Sequence, residues 1–269
     1  MKKIFLAMTL VLTMLFTGCG GDQPKDNAGG KDTKKIVIGL DDEYPPMGFK
    51  NEKNEIVGFD VDLAKETAKK LGAEVEFKGI DWSSKEAELK SGRVDILWNG
   101  LDITPERKEN MLFSDPYMDN RQVVFVRKGS DLKISAEADL AGKNIGTQAA
   151  STAEDYVNKN ENLKNSFKEF KTYGDYMAAF MDLENGRMDA VICDEIVGRY
   201  YMSKHPETLE ALDVTVGPVS EFGIAFAKEN TELRDKVQKA FDEIVADGTA
   251  KKISEKWFEA DLIKSKEKK

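Results

Sequence analysis

Cysteine and histidine are nearly absent from this chain. Its 269 residues hold two cysteines, Cys19 and Cys193, and one histidine, His205. No Cys/His cluster exists, so neither a structural nor a catalytic zinc site is expected, and no metal or cofactor is assigned. Net positive charge is missing too, at a formal −9. A nucleic-acid partner needs clustered positive charge and is therefore excluded. Beyond residue 16 there is no second long apolar run, so the mature chain is not expected to span a membrane. What remains is an acidic chain with a large apolar complement for burial.

The N-terminal end is the exception to that pattern. Lys2 and Lys3 precede an apolar run over residues 4–16, followed by Thr17-Gly18-Cys19. A charged start, a short apolar stretch and small residues at a processing point read as a secretory signal over 1–18. The small pair before Cys19 resembles a lipobox, with Phe16 where that motif usually has leucine. The resemblance implies lipidation of Cys19 and a location outside the cytoplasm on the membrane surface. Residues 19–35 are rich in Gly, Asp and Lys and lack apolar periodicity, which suits a flexible tether. With Cys19 so used, Cys193 has no partner and no disulfide is expected. Loss of Lys2 and Lys3 takes the charge to −11, since residues 1–18 hold no acid. The roughly 235 residues after the tether are comfortable for two cores.

Apolar patterning alternates between strand and helix. A buried-strand run over 36–40 leads to a helix from Asp60 stopped by Gly72. Strands over 75–80 and 94–98 follow, with a helix over 84–89 between them. A second series has strands over 144–148, 167–170 and 190–193, with helices from Ser151 and over 175–183. This β-α-β-α-β order implies a parallel sheet covered by helices in each half. The halves share a phrase: Leu89-Lys90-Ser91-Gly92-Arg93-Val94-Asp95 beside Leu183-Glu184-Asn185-Gly186-Arg187-Met188-Asp189. Each reads as a helix end, a left-handed glycine stop and a strand entry. A strand over 223–227 and helices over 231–245 and through Trp257 complete the chain.

One stretch carries the most chemistry. Asn99-Gly100-Leu101-Asp102-Ile103-Thr104-Pro105-Glu106-Arg107 follows the strand over 94–98 and opens a helix at Pro105. A guanidinium fork takes a carboxylate in a bidentate way, while a carboxylate beside it accepts from an ammonium. Those two demands together describe the backbone end of a free amino acid. With Phe113-Ser114-Asp115-Pro116-Tyr117 after it, the stretch resembles the extracellular solute-binding proteins of amino-acid ABC importers, a likeness covering essentially residues 36–260.

That resemblance implies an α/β, two-lobed, periplasmic-binding-protein-like fold with two interlobe crossovers. The first lobe is then 36–120 with 219–269, and the second 121–218. It also implies a binding function without catalysis, a membrane permease with its ATPase as partner, and a monomer. Family positions in contact with ligand fall on Asp41, Tyr44, Trp82, Gly100, Asp102, Arg107, Gln148, Ser151, Thr152 and Asp194. Tyr44 and Trp82 would wall the ligand side chain, or simply pack on the first lobe. The family has Ser or Thr where this chain has Asp102, a change that strengthens an ammonium grip or selects a second positive group. The plainer reading of Asp102 is an N-cap for the next turn. For Asp194 it is a cap ahead of Glu195, and for Arg107 a solvated helix-end charge. Gln148, Ser151 and Thr152 sit where a helix N-terminus favours a carboxylate. Cys193 reads as a small buried residue rather than a nucleophile. The acids and aromatics lean toward a polar, cationic or sulfur-containing amino acid, with cystine and glutamine both open. The rival reading is a dehydratase of cyclic acids on the same scaffold, for which Asp102 or Glu43 would supply the general acid or base.

Overall fold

A computed structural model describes residues 35–264. The expected signal segment, Cys19 and all but the last residue of the tether lie outside them. In chain order the strands are β1 (Lys35–Leu40), β2 (Glu43–Tyr44), β3 (Gly48–Lys50), β4 (Ile56–Val57), β5 (Glu74–Gly79), β6 (Ile96–Asp102), β7 (Met111–Phe113), β8 (Met118–Asn120), β9 (Gln122–Arg127), β10 (Asn144–Gln148), β11 (Glu169–Tyr173), β12 (Ala190–Asp194), β13 (Leu209–Thr215) and β14 (Ser220–Ala227). The helices are α1 (Phe59–Leu71), α2 (Lys85–Lys90), α3 (Pro105–Asn110), α4 (Thr152–Lys159), α5 (Glu161–Ser166), α6 (Tyr176–Glu184), α7 (Glu195–Lys204), α8 (Thr231–Ala246) and α9 (Thr249–Phe258).

Two mixed sheets organise most of these elements, and β2, β3 and β4 form a small antiparallel sheet of their own. The first runs β5-β1-β6-β14-β7, with β8 also on β14. Its β5, β1 and β6 are parallel, as the alternating pattern requires, whereas β14 runs antiparallel to β6, β7 and β8. The second runs β11-β10-β12-β9-β13, with β11, β10 and β12 parallel and β9 antiparallel to both its neighbours. The all-parallel expectation is therefore corrected. The antiparallel members come from segments outside the βαβ runs, and β9 and β13 were not anticipated. Chain order alone does not reveal them, because a strand that pairs antiparallel needs no crossover helix to announce it.

The repeated phrase does the same work twice. Gly92 and Gly186 both adopt left-handed backbone, at φ of 71° and 74°. Asp95 then accepts from the Val37 amide at 2.9 Å, and Asp189 from the Asn144 amide at 2.7 Å. In each lobe the aspartate ties the entry of a central strand to its parallel neighbour. Packing follows the sheets: Ile36, Ile38, Ile96, Trp98 and Phe226 are buried on the first, and Val124, Ile145, Ala190 and Ile192 on the second.

One boundary shift matters for the site. The strand expected over 94–98 instead runs Ile96–Asp102, so Asn99, Gly100 and Asp102 are strand residues rather than loop. Its far end pairs with β14, Phe222 opposite Asp102. That antiparallel partner holds the polar stretch extended and buried although its composition reads as a turn.

Candidate functional site

The carboxyl ends of β1, β6, β10 and β12 converge, two from each sheet, as open α/β sheets direct ligands to do. Between them lies a narrow cleft lined by Tyr44, Trp82, Gly100, Asp102, Arg107, Gln148, Ser151, Thr152 and Asp194. It holds only about 10 Å³ of open space, far below the ~300–1,000 Å³ of drug-sized pockets, so its walls are almost in contact. Nine of the ten residues expected from sequence line it. The tenth, Asp41, stands behind Gln148, whose side-chain amide donates to Asp41 Oδ2 at 2.6 Å. A wider depression of about 550 Å³ lies between α1, β5 and α9. Its Lys69 and Lys256 are matched by Glu66 and Asp62 on the same wall, which is the pattern of a solvated charged surface.

Arg107 is placed by a short, well-specified helix. Thr104 caps α3 by accepting from the Arg107 amide at 3.2 Å, and Pro105 fills the first turn, where its missing N–H costs nothing. The guanidinium is only 5% exposed, so it is not a solvated helix-end charge. Its Nη1 donates to the Asp102 carbonyl and to Thr152 Oγ1, each at 3.1 Å, and its Nη2 to the Ala150 carbonyl at 3.3 Å. Nη2 also reaches the Asp155 carboxylate at 3.5 Å, so three of these four acceptors belong to the other lobe.

Asp102 does not cap the helix, since Thr104 does. Its carboxylate instead accepts from Ser220 Oγ at 2.6 Å and from Asn120 Nδ2 at 3.1 Å. The same Asn120 amide donates to Asp194 Oδ1 at 2.5 Å, and Gln122 Nε2 joins it there at 2.7 Å. Asp194 likewise makes no side-chain cap to α7. One carboxylate from each lobe thus shares a single side-chain amide. Burial first, and the Asp102 charge second, push the Asp194 carboxyl up to about 6, against hydrogen bonds from Tyr44, Asn120 and Gln122. Two facing carboxylates with neutral donors between them favour a cation.

The far wall is acidic as well. Asp41 accepts from the Glu43 amide at 2.9 Å and is pushed up to about 6, mainly by burial, with Asp175 and Asp42 contributing. Asp175 caps α6 by accepting from the Ala178 amide at 2.7 Å. Tyr44 is 5% exposed, with its ring centroid 6.0 Å from that of Tyr176. Trp82 sits in a single 3-10 turn whose start Asp81 caps, accepting from both the Ser83 amide and its hydroxyl. Gly100 is required by its surroundings: its φ is 54°, and a Cβ there would lie 3.0 Å from the Tyr44 ring. Its N–H donates at 2.7 Å to the buried Asp60, which also accepts from the Tyr117 hydroxyl at 2.9 Å.

Across the cleft, Ser151 caps α4 by accepting from the Glu154 amide at 3.1 Å, and the Glu154 carboxylate accepts from the Ala150 amide at 2.5 Å. This reciprocal cap fixes the helix N-terminus that faces the cavity. Cys193 is fully buried, and burial holds its thiol well above the ordinary range, so it is no nucleophile. Asn120, Gln122, Ser220, Asp60 and Lys85 belong to the site's support but escape a reading of strand ends. Asn120, Gln122 and Ser220 sit in or beside the segments where the chain passes between the sheets. The remaining two act from helices.

Among the described residues no helix is long and apolar enough to cross a membrane, and no group of His, Cys, Asp and Glu is arranged to hold a metal ion. The chain is 36% identical over 235 residues to ABC transporter arginine-binding protein 1 of Escherichia coli, covering 86% of this chain and 93% of that protein. It is 33% identical over 234 residues to the L-cystine-binding protein TcyJ of the same organism, covering 87% and 86%. A substrate-binding protein of an ABC uptake transporter from Streptococcus pneumoniae, solved with bound histidine, superposes with a TM-score of 0.81 at 36% identity, covering 86% of this chain and 95% of that one. Residues 36–260 match the bacterial extracellular solute-binding proteins of family 3, and the chain belongs to that family.

Proposed function

We propose that this protein captures a free cationic amino acid, with L-arginine as the leading candidate, and delivers it to an ABC importer in the membrane. The order of charge in the cavity carries this reading. Arg107 and the N-terminus of α4 suit a carboxylate. Asp102 and Asp194 suit the α-ammonium, and Asp41 beside Glu43 and Asp175 suits a second positive group on the side chain. A relative named for arginine and a neighbour solved with histidine support a basic side chain. The cystine-binding relative keeps a two-ammonium ligand as the nearest competitor.

Binding without chemistry is the simplest use of this arrangement, because a cationic amino acid engages Arg107 with its carboxylate and the two acidic groups with its two positive ends. Contacts from both lobes mean that ligand shifts the equilibrium toward the closed form. A thermal-shift screen of the twenty amino acids, cystine and ornithine tests the reading, with calorimetry on each hit. Arginine, then ornithine and lysine, should raise the melting temperature, since ligand at a thousand times Kd adds about 4 kcal/mol. Stabilisation by aliphatic or acidic amino acids alone would overturn it. Recovery of the ligand unchanged checks that no turnover occurs.

The protein is further proposed to act as a lipid-anchored monomer outside the cytoplasm, on the strength of Thr17-Gly18-Cys19 and the polar stretch after it. Cys19→Ser should move the protein from the membrane to the soluble fraction and leave arginine affinity unchanged. Two acyl chains suffice for stable attachment whereas one does not. Membrane retention of the variant would sink the anchor.

A further inference from the structure

We propose that Lys85 is a positioning residue that latches the two lobes together over the ligand without touching it. This rests on the closure just described. Lys85 opens α2 in the first lobe, yet its side chain is only 4% exposed. Its Nζ donates at 2.9 Å to the carbonyl of Ala150, which belongs to the second lobe. Arg107 Nη2 donates to the same carbonyl at 3.3 Å. One backbone oxygen therefore takes two cations from across the cleft.

That oxygen is unusual in its own right. Ala150 adopts left-handed backbone at φ 54°, a conformation few residues with a side chain tolerate. Its N–H is engaged by Glu154, within the cap of α4. The strained conformation thus directs the carbonyl out of the second lobe toward Lys85 and Arg107, and the amide inward to the helix. Holding Ala150 from the first lobe fixes the adjoining Ser151 and Thr152 against Arg107. Lys85 also lies 5.1 Å from the centroid of the Trp82 ring, so it braces a cavity wall from behind.

A buried lysine beside an arginine is costly to maintain. Burial and the Arg107 charge hold its ammonium down at about 8, partly offset by Asp155, Glu86 and Glu154. Partners in its own lobe repay little of that cost: Lys85 meets the Trp82 ring and, at a long 3.4 Å, the Trp82 carbonyl. Its strong hydrogen bond is the one that spans the cleft, and that bond exists only when the lobes meet.

A latch formed after docking governs departure rather than arrival. Stopped-flow tryptophan fluorescence with L-arginine, and in parallel with L-histidine and L-cystine, on the full chain separates the two. Lys85→Met should raise the dissociation rate about tenfold, the scale of a lost charged hydrogen bond, with the association rate changed less than about twofold. Lys85→Arg, which keeps cation and donor, should restore most of the lifetime. Melting of the ligand-free protein should not move, because an open cleft leaves Lys85 solvated. If Lys85→Met disturbs folding by circular dichroism, Lys85→Gln gives the same comparison. Wild-type binding with an unchanged dissociation rate in the variants would overturn the latch alone. A fall in association rate and ligand-free stability, without rescue by arginine, would also overturn it, in favour of a purely structural lysine. Failure of the wild type to bind any of the three would instead overturn the functional reading, and the latch with it.

Discussion

Arg107→Ala is expected to lower arginine affinity by roughly 2–5 kcal/mol, the range for truncating one partner of a buried charge pair, or roughly 30- to 5,000-fold. The guanidinium is almost wholly buried, and its donors meet three neutral acceptors, the carbonyls of Asp102 and Ala150 and the hydroxyl of Thr152, and at a long 3.5 Å the half-exposed Asp155 carboxylate. A ligand carboxylate at close range is a stronger acceptor than the neutral groups and displaces them as it docks. Without the fork, the ligand carboxylate enters the cleft with only the α4 N-terminus to receive it. The second lobe also loses three of its contacts with the first, so closure weakens together with docking. Arg107→Lys should recover little, because an ammonium cannot span the same acceptors at once. Isothermal titration near the wild-type value for the alanine variant would remove Arg107 from the site.

The second large effect is acid release of the ligand, accompanied by an opposite change in stability. Asp41 and Asp194 are each pushed up to about 6, and both must be ionised to hold a cationic amino acid. As pH falls through 6, each protonates and affinity drops by up to about tenfold per pH unit per group. Between pH 7.5 and 5 the combined loss should reach roughly one to two orders of magnitude. Above pH 7 the affinity should be flat, and binding near pH 6 should release protons, visible as a buffer-dependent enthalpy. Folding responds with the other sign. The buried Asp60, pushed up to about 7, has its partners within the first lobe and binds its proton more tightly folded than unfolded whether the cleft is open or shut. It therefore stabilises the ligand-free protein as pH falls from about 7 toward its unfolded value of 3.8. The ligand-free melting temperature should rise between pH 7.5 and 5.5. Further acidification reverses the trend, because Asp182, held at about 2 by Lys171, Tyr173 and Arg187, then begins to lose its partners. Asp194→Asn should flatten part of the affinity profile. A profile unchanged in that variant would rule Asp194 out as the titrating group.

The residues that project into the cavity were legible in the sequence; those that hold them in place were not. Arg107, Asp102, Gln148, Thr152 and Asp194 all stand at or just past strand ends, where periodicity stops and polar residues begin. Asp194 and Gln148 stand out as matches to family ligand positions, and the strand ends they occupy agree with that. Asn120 and Ser220 are different. Each lies in a polar, unpatterned segment, and its importance comes from meeting Asp102, 18 and 118 residues away in the chain. Nothing local marks such a meeting. Lys85 was illegible for a related reason: an amphipathic helix start full of charge reads as solvated, and only its distance to Ala150 shows otherwise. Within the fold, the parallel strands of each βαβ run were evident. The antiparallel β9, β13 and β14 depend on pairing between remote segments, so two of them were not foreseen and the third was found without its partners.

The position of β14 has a consequence for how the molecule is made. It lies between β6 and β7 in the first sheet, hydrogen-bonded to both, although it starts at residue 220. The second sheet needs only strands between residues 122 and 215. As the chain emerges from its N-terminal end, the second lobe can therefore complete its sheet while the first still waits for the strand that joins β6 to β7 and β8. Until then β6 presents an open strand edge, the feature most apt to pair with a neighbouring chain. The interval between residues 102 and 220 is thus the vulnerable stage of biogenesis. A helper that shields an unfinished sheet would have most to do there, well before any ligand is met.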